Sequence, residues 1–165
     1  MHDALTHLPN RRNFDEYLNK VHAQAARTKK QYALFYMDLD GFKLINDRFG
    51  HDAGDDALLA TITRITAILR ESDFLARVGG DEFALVVQDY KEQKELVILA
   101  GRIISALDKP IMSMAGQDIW MGVSIGISTY PKHAMNVNDN VASADGAMYQ
   151  AKISGKNQYG FAPQT

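Results

Sequence analysis

The sequence predicts an α+β (mixed α/β) domain in which helices flank a central, mostly antiparallel sheet. Apolar residues recur at helical spacing in four segments, and two glycine-containing turns join short β-rich runs. Helices and strands follow the order αβαββαβ(β)αβ, which departs from strict βα repeats and implies hairpins. A length of 165 residues suits one domain, expected over residues 1–165. Both ends fall close to the last recognisable element, so the expectation is a domain excised from a larger multidomain signalling protein.

Residues 10–30 place Phe14, Leu18, Val21 and Ala25 three or four apart with charges between them, an amphipathic helix opened by Pro9-Asn10. Residues 32–39 (YALFYMDL) are short, apolar and aromatic, a strand buried on both faces that runs into Asp38, Asp40 and Gly41. A helix over residues 55–70 follows from Leu58, Leu59, Ile62, Ile65 and Leu69. Residues 74–78 and 83–87 read as a hairpin around Gly79-Gly80-Asp81-Glu82, with glycines where positive φ is needed. A helix fits residues 91–107, stopped before Pro110. A hairpin then passes through the Ala115-Gly116-Gln117-Asp118 turn into a strand over residues 120–129. A last helix over residues 141–153 is closed by Gly155, and a short strand lies near residues 159–161.

Composition removes whole classes of function. Hydrophobic residues at 46% and charged residues at 23% exclude a disordered chain or a fibre. The absence of cysteine excludes a disulfide scaffold, a thiol nucleophile and a zinc-thiolate site. No run of 18 apolar residues occurs and MHDALTHLPNRR lacks a signal-peptide layout, so a cytoplasmic chain without membrane contact is expected; a membrane-tethered parent is compatible with this. Eighteen Lys and Arg against 20 Asp and Glu give a net charge of −2, which argues against a nucleic-acid polymer as partner. An anionic ligand therefore needs a local basic cluster. The five histidines form no metal constellation, and His22 and His133 read as surface residues.

Asp38 and Asp40 end a strand too apolar to solvate them, and Asp81-Glu82 occupy a separate turn. Either pair alone is compatible with turns and helix caps. Together they suit a hard divalent cation such as Mg²⁺, which wants oxygen ligands converging from separate segments.

The string Gly79-Gly80-Asp81-Glu82-Phe83, preceded by Arg77, names a family. The chain resembles the GGDEF domains, the diguanylate cyclases that make cyclic di-GMP from two GTP. Its opening Asp3-Ala4-Leu5-Thr6-His7-Leu8-Pro9-Asn10-Arg11-Arg12, the stretch from Asp38 to Asp47, Phe49-Gly50-His51-Asp52-Ala53-Gly54-Asp55, Ser124-Ile125-Gly126 and the run from Ala144 to Asn157 all match the family's pattern in order. Departures are His7, Gly41, Val78 and Lys156, where Gly, a bulkier residue, another residue and Arg are more usual. None removes a catalytic group.

The resemblance implies a palm-like fold, similar to the ferredoxin-like core of adenylyl cyclases and polymerases. It implies Asp38, Asp81 and the Leu39 backbone carbonyl as ligands of two Mg²⁺ ions per site, with Mn²⁺ as a substitute. Asp81, Glu82 and Lys43 are the implied catalytic groups. Asn46 and Asp55 are implied as guanine readers, and an Asp can accept from the guanine N1–H and N2–H₂ edge that adenine lacks. Gly54-Asp55 acting simply as a helix cap is equally compatible with the position. Phe42, Gly79, Gly80, Lys152 and Lys156 complete the implied substrate contacts, although lysines near a helix end are otherwise usually solvated or opposing the helix dipole.

Arg70-Glu71-Ser72-Asp73 forms an RxxD at the spacing of the family's inhibitory product site, where Arg suits phosphate and guanine. The same string is elsewhere a helix-end ion pair of little value. Implied partners are GTP, cyclic di-GMP as product and inhibitor, a transient homodimer, and a fused sensory or phosphodiesterase domain. The alternative is a catalytically silent GTP- or cyclic di-GMP-binding module that regulates an attached domain.

Overall fold

A computed structural model describes residues 1–164. Strand β1 (Tyr32–Asp40) is the axis of the sheet, and all nine of its residues are buried. It pairs antiparallel with β3 (Glu82–Val87) on one side and β6 (Gly122–Tyr130) on the other. At one edge β2 (Phe74–Arg77) pairs antiparallel with β3; at the other β7 (Tyr159–Phe161) pairs parallel with β6, giving the order β2-β3-β1-β6-β7. The predicted class therefore holds: the sheet is mostly antiparallel and helices flank it.

Side chains alternate between the two faces of β1. Met37 and Leu39, with Phe83 and Ile125, meet Ile45 of α2 (Phe42–Phe49), Leu58 and Ile65 of α3 (His51–Ile68), and Leu96 and Ile103 of α4 (Gln93–Ser105). Leu34 and Tyr36, with Ala84 and Val86, meet Phe14, Leu18 and Val21 of α1 (Arg11–Thr28) and Ala144 and Met148 of α5 (Val137–Ile153). Burial of each large side chain contributes roughly 1.5–3 kcal/mol. Asp38 and Asp40 follow the parity of Leu34 and Tyr36, which puts them on the α1/α5 face. Gly126 lets α5 lie directly on β6: a Cβ there would stand 2.1 Å from Ala144 O and from Met148 N.

Several local expectations change. Helix α2 was not foreseen; Gly41, at φ 98°, turns β1 straight into it. Helix α3 starts at His51 with Gly50 as its cap, and α5 starts at Val137, capped by Asn136, whose side chain accepts from Asp139 N. The Ala115-Gly116 turn joins β4 (Met112–Met114) to β5 (Gln117–Ile119) in a separate two-stranded sheet, so the strand after Trp120 is not its hairpin partner. Gly79 and Gly80 do not adopt positive φ. Gly79 instead lies close to the far side of the turn, where a Cβ would make a tight 3.1 Å contact with Glu82 Cβ. His133 is buried rather than on the surface, accepting from Thr129 N at 3.0 Å, and His22 is half-buried against the Tyr32 hydroxyl at 2.8 Å.

Candidate active site

The acidic residues converge because two strands end together. Asp38 lies opposite Glu82 in the β1/β3 register and opposite Ser124 in the β1/β6 register. Leu39 N donates to Asp81 O at 3.0 Å, which fastens the turn before β3 to the end of β1. Arg77 reinforces the turn from below: its Nε and Nη2 donate to Gly80 O at 3.1 and 2.6 Å, and its Nη1 pairs with Asp3 Oδ2 at 3.1 Å. Asp3, in turn, accepts from Thr6 N and Thr6 Oγ1, both at 2.8 Å. The opening motif is thus a buttress for the acidic turn.

Burial pushes the Asp38 carboxyl up to about 6; the Lys152 ammonium pulls against this, while Asp81 and Glu82 add to it. Burial, with Asp145 and Asp81 nearby, also raises Glu82, and Arg11 and Lys152 oppose that shift. Lys152 Nζ stands 2.7 Å from Asp38 Oδ1. Asp38 Oδ1 is closed to water, and the Lys152 ammonium is its close partner. Asp40 is different in kind. Its oxygens accept from Ser124 Oγ at 2.9 and 3.0 Å and from Asn157 N at 2.9 Å, which makes it a structural tie between β1, β6 and the loop after α5.

An open pocket of about 460 Å³ lies beside these acids, lined by Leu39, Phe42, Lys43, Asp81, Lys152 and Lys156 among others. Its basic residues come from three places in the sequence: Lys43 from the first turn of α2, Lys152 from the last turn of α5, and Lys156 from the left-handed turn that follows. This is the local positive cluster that an overall acidic chain needs to hold an anion.

Asn46 and Asp55 lie off that pocket's lining, on the packed pair α2 and α3. Gly54 leaves room there for the Asn46 side chain, because a Cβ on it would stand 1.6 Å from Asn46 Oδ1 and displace that amide. The helix-cap reading of Asp55 is excluded, since α3 begins four residues earlier at His51. Asp38 and Asp40 likewise cap nothing: α2 is entered through Gly41 without a side-chain cap.

Arg70 and Asp73, the residues of the RxxD string, lie in the turn just before β2. Arg70 N donates to Asp73 Oδ2 at 2.8 Å and the ion pair spans 3.9 Å, so the bland ion-pair reading is realised in part. Both residues also line a cavity of about 230 Å³ with Arg102 of α4, which sequence reasoning missed. Arg102 is 29 positions beyond Asp73, and only the packing of α4 on the sheet brings it there.

The donor set suits Mg²⁺. Among the described residues no three His, Cys, Asp or Glu side chains form a ready-made cage. Mg²⁺, however, takes one or two carboxylates and completes its shell with water and substrate phosphates. The crowded carboxylates of Asp38, Asp81 and Glu82, brought together from two segments beside a basic pocket, match that requirement.

The profile for the diguanylate cyclase GGDEF domain matches residues 1–158. The chain belongs to the GGDEF domain family. It is 41% identical over 151 residues to the diguanylate cyclase TpbB of Pseudomonas aeruginosa, covering 92% of this chain and 35% of TpbB. It is 38% identical over 161 residues to MucR of the same organism, named a bifunctional diguanylate cyclase/cyclic di-GMP phosphodiesterase, covering 98% of this chain and 23% of MucR. This GGDEF domain therefore spans about a quarter to a third of the length of these two relatives. The solved GGDEF domain of TpbB superposes with a TM-score of 0.94 at 39% identity, covering 99% of this chain and 95% of that one. The GGDEF domain of DgcB from Caulobacter crescentus, solved in complex with c-di-GMP, superposes at 0.88 with 26% identity, covering 99% and 93%. Among the described residues no helix is long and apolar enough to cross a membrane.

Proposed function

We propose that this GGDEF domain is an active diguanylate cyclase that condenses two GTP into cyclic di-GMP and two pyrophosphates. The observation that carries the reading is the meeting of Asp38 and Asp81, from separate segments, beside one pocket that also gathers Lys43, Lys152 and Lys156. Every acid of the family string is present.

Asp38, Asp81 and the Leu39 carbonyl would hold Mg²⁺, or Mn²⁺ in its place. Bound there, the metal supplies charge neutralisation to the triphosphate, a lower pKa to the attacking 3′-hydroxyl and stabilisation to the leaving pyrophosphate. Lys152 and Lys156 hold the phosphates, and Lys43, free in solvent at the head of α2, meets the charge that develops on transfer. Asp81 accepts the 3′-hydroxyl proton, and Glu82, opposite Asp38, keeps the site acidic. Asn46 and Asp55 read the guanine edge. Each site holds half of the reaction, so two chains must face one another with each 3′-hydroxyl directed at the partner's α-phosphate.

The Arg70, Asp73 and Arg102 cavity is the inhibitory product site of this scheme; paired guanidinium forks suit a cyclic dinucleotide's phosphates. The c-di-GMP bound to the related DgcB domain supports such an affinity. MucR's bifunctional name supports a fused phosphodiesterase partner, and a silent regulatory module remains the second reading on that ground. Product identification after incubation with GTP and Mg²⁺ separates the two. Cyclic di-GMP from the wild type and none from Asp81→Ala is expected; equal turnover in both would place the chemistry elsewhere.

A further inference from the structure

Lys152 is poised between two anions of unequal freedom. Its Nζ is 2.7 Å from Asp38 Oδ1 and 3.9 Å from Asp40 Oδ1, and a third of its side chain is exposed. Asp38 and Asp40 lie two residues apart on one face of β1, about 7 Å along the strand. Asp40 is fixed by Ser124 Oγ and by Asn157 N, the latter delivered by consecutive left-handed residues at Lys156 and Asn157. Asp38 Oδ1 is buried and has the Lys152 ammonium as its close partner, with no second tie of the kind that holds Asp40. One cation on a flexible side chain thus stands between two buried anions, of which only Asp40 is also anchored by hydrogen bonds to Ser124 and Asn157.

We propose that Lys152 is the protein's own counter-cation for Asp38 and that Asp40 is the berth to which it withdraws, so that divalent metal is admitted together with nucleotide rather than before it. The inference rests on the diguanylate cyclase reading of the acidic pair and goes beyond it. A bare divalent cation arriving at Asp38 must displace an ammonium and then tolerate it a few ångströms away, so the two charges repel. A metal–triphosphate arrives with anionic oxygens that give the displaced ammonium a new partner. The geometry allows Lys152 to move between these positions without moving α5, because Gly126 holds that helix against β6 and the swing needs only the flexible side chain.

Were Lys152 only a phosphate contact, its loss would weaken nucleotide binding and leave binding of the metal alone unchanged. The lock predicts the opposite for the metal. Mn²⁺ alone is titrated into nucleotide-free protein, with free Mn²⁺ followed by electron paramagnetic resonance and melting curves confirming that each variant is folded. Lys152→Met should bind Mn²⁺ about tenfold more tightly than wild type, as expected when one half-buried ion pair no longer has to be broken. Asp38→Asn should weaken Mn²⁺ binding in both backgrounds. Asp40→Asn should weaken it when Lys152 is present and have no further effect in Lys152→Met, the signature of a residue acting through its neighbour. Unchanged Mn²⁺ affinity in Lys152→Met, with Asp38→Asn still weakening it, overturns the lock and leaves the metal site standing. Equal effects of Asp40→Asn in both backgrounds overturn the berth. No effect of Asp38→Asn overturns the metal site and this inference together.

Discussion

Asp38 on β1 lies directly opposite Glu82, the first residue of β3, a cross-strand pair of like charges at the end of the β1/β3 ladder. Like charges so placed destabilise a sheet. Asp81, held to Leu39 N at 3.0 Å, adds a third carboxylate, and Lys152 is the cation in contact with Asp38. The apolar burial of β1 and β3 around it offsets the repulsion, which a cation held there under the proposed function would relieve.

The first prediction concerns pH. The folded protein holds Asp38 near 6, above its ordinary 3.8, so between those values the native state binds more protons than the unfolded chain. Its contribution is therefore greatest at low pH and lost as pH rises through about 6. Melting temperatures from pH 4 to 8 without divalent cations should show Asp38→Asn gaining on the wild type as pH rises. A constant difference across the range would contradict the shift.

The second tests the seating of α5. Gly126→Ala drives a methyl group into Ala144 O and Met148 N, both backbone atoms that cannot swing aside. Urea unfolding should show a loss of about 1–3 kcal/mol or more, the usual cost of overpacking. An unchanged midpoint would mean that α5 has room to lift from β6.

The third concerns guanine recognition. Gly54→Ala would evict the Asn46 side chain from its position while leaving the pocket lysines alone. GTP affinity is expected to fall about tenfold, equivalent to about 1.4 kcal/mol. Calorimetry with GTP would show it, and undiminished affinity would remove Asn46 from the reader's role.

The fourth concerns feedback. Arg70→Ala and Arg102→Ala should each relieve inhibition by cyclic di-GMP without lowering the initial rate, since their cavity is separate from the pocket that Lys152 lines. Inhibition curves that coincide with the wild type's would exclude the cavity as the product site.

Much of this was legible in the sequence, for physical reasons. The fully buried β1 reads as a continuous apolar run, and Phe14, Leu18, Val21 and Ala25 mark α1 because one face of it is buried. The acidic groups were visible since carboxylates at the ends of such runs conflict with their surroundings. Helix α2 was hidden because only Ile45 of its eight residues is buried and its cap is a glycine without a side-chain bond. Capping by Gly50 hid the true start of α3. Arg102 was out of reach, since nothing local in α4 marks a residue that joins the cavity of Arg70 and Asp73 only after the helix docks. Asp40 reads as a partner of Asp38 in sequence, and only its bonds to Ser124 and Asn157 separate the two roles.

The most direct test of the central claim is the dependence of rate on protein concentration, with GTP and Mg²⁺ present and products identified by chromatography and mass. Cyclic di-GMP formed at a rate steeper than first order in protein is the result predicted for two half-sites that must meet. GTP left unconverted at every concentration, including those at which the chain is dimeric, would contradict catalysis and leave a nucleotide-binding module.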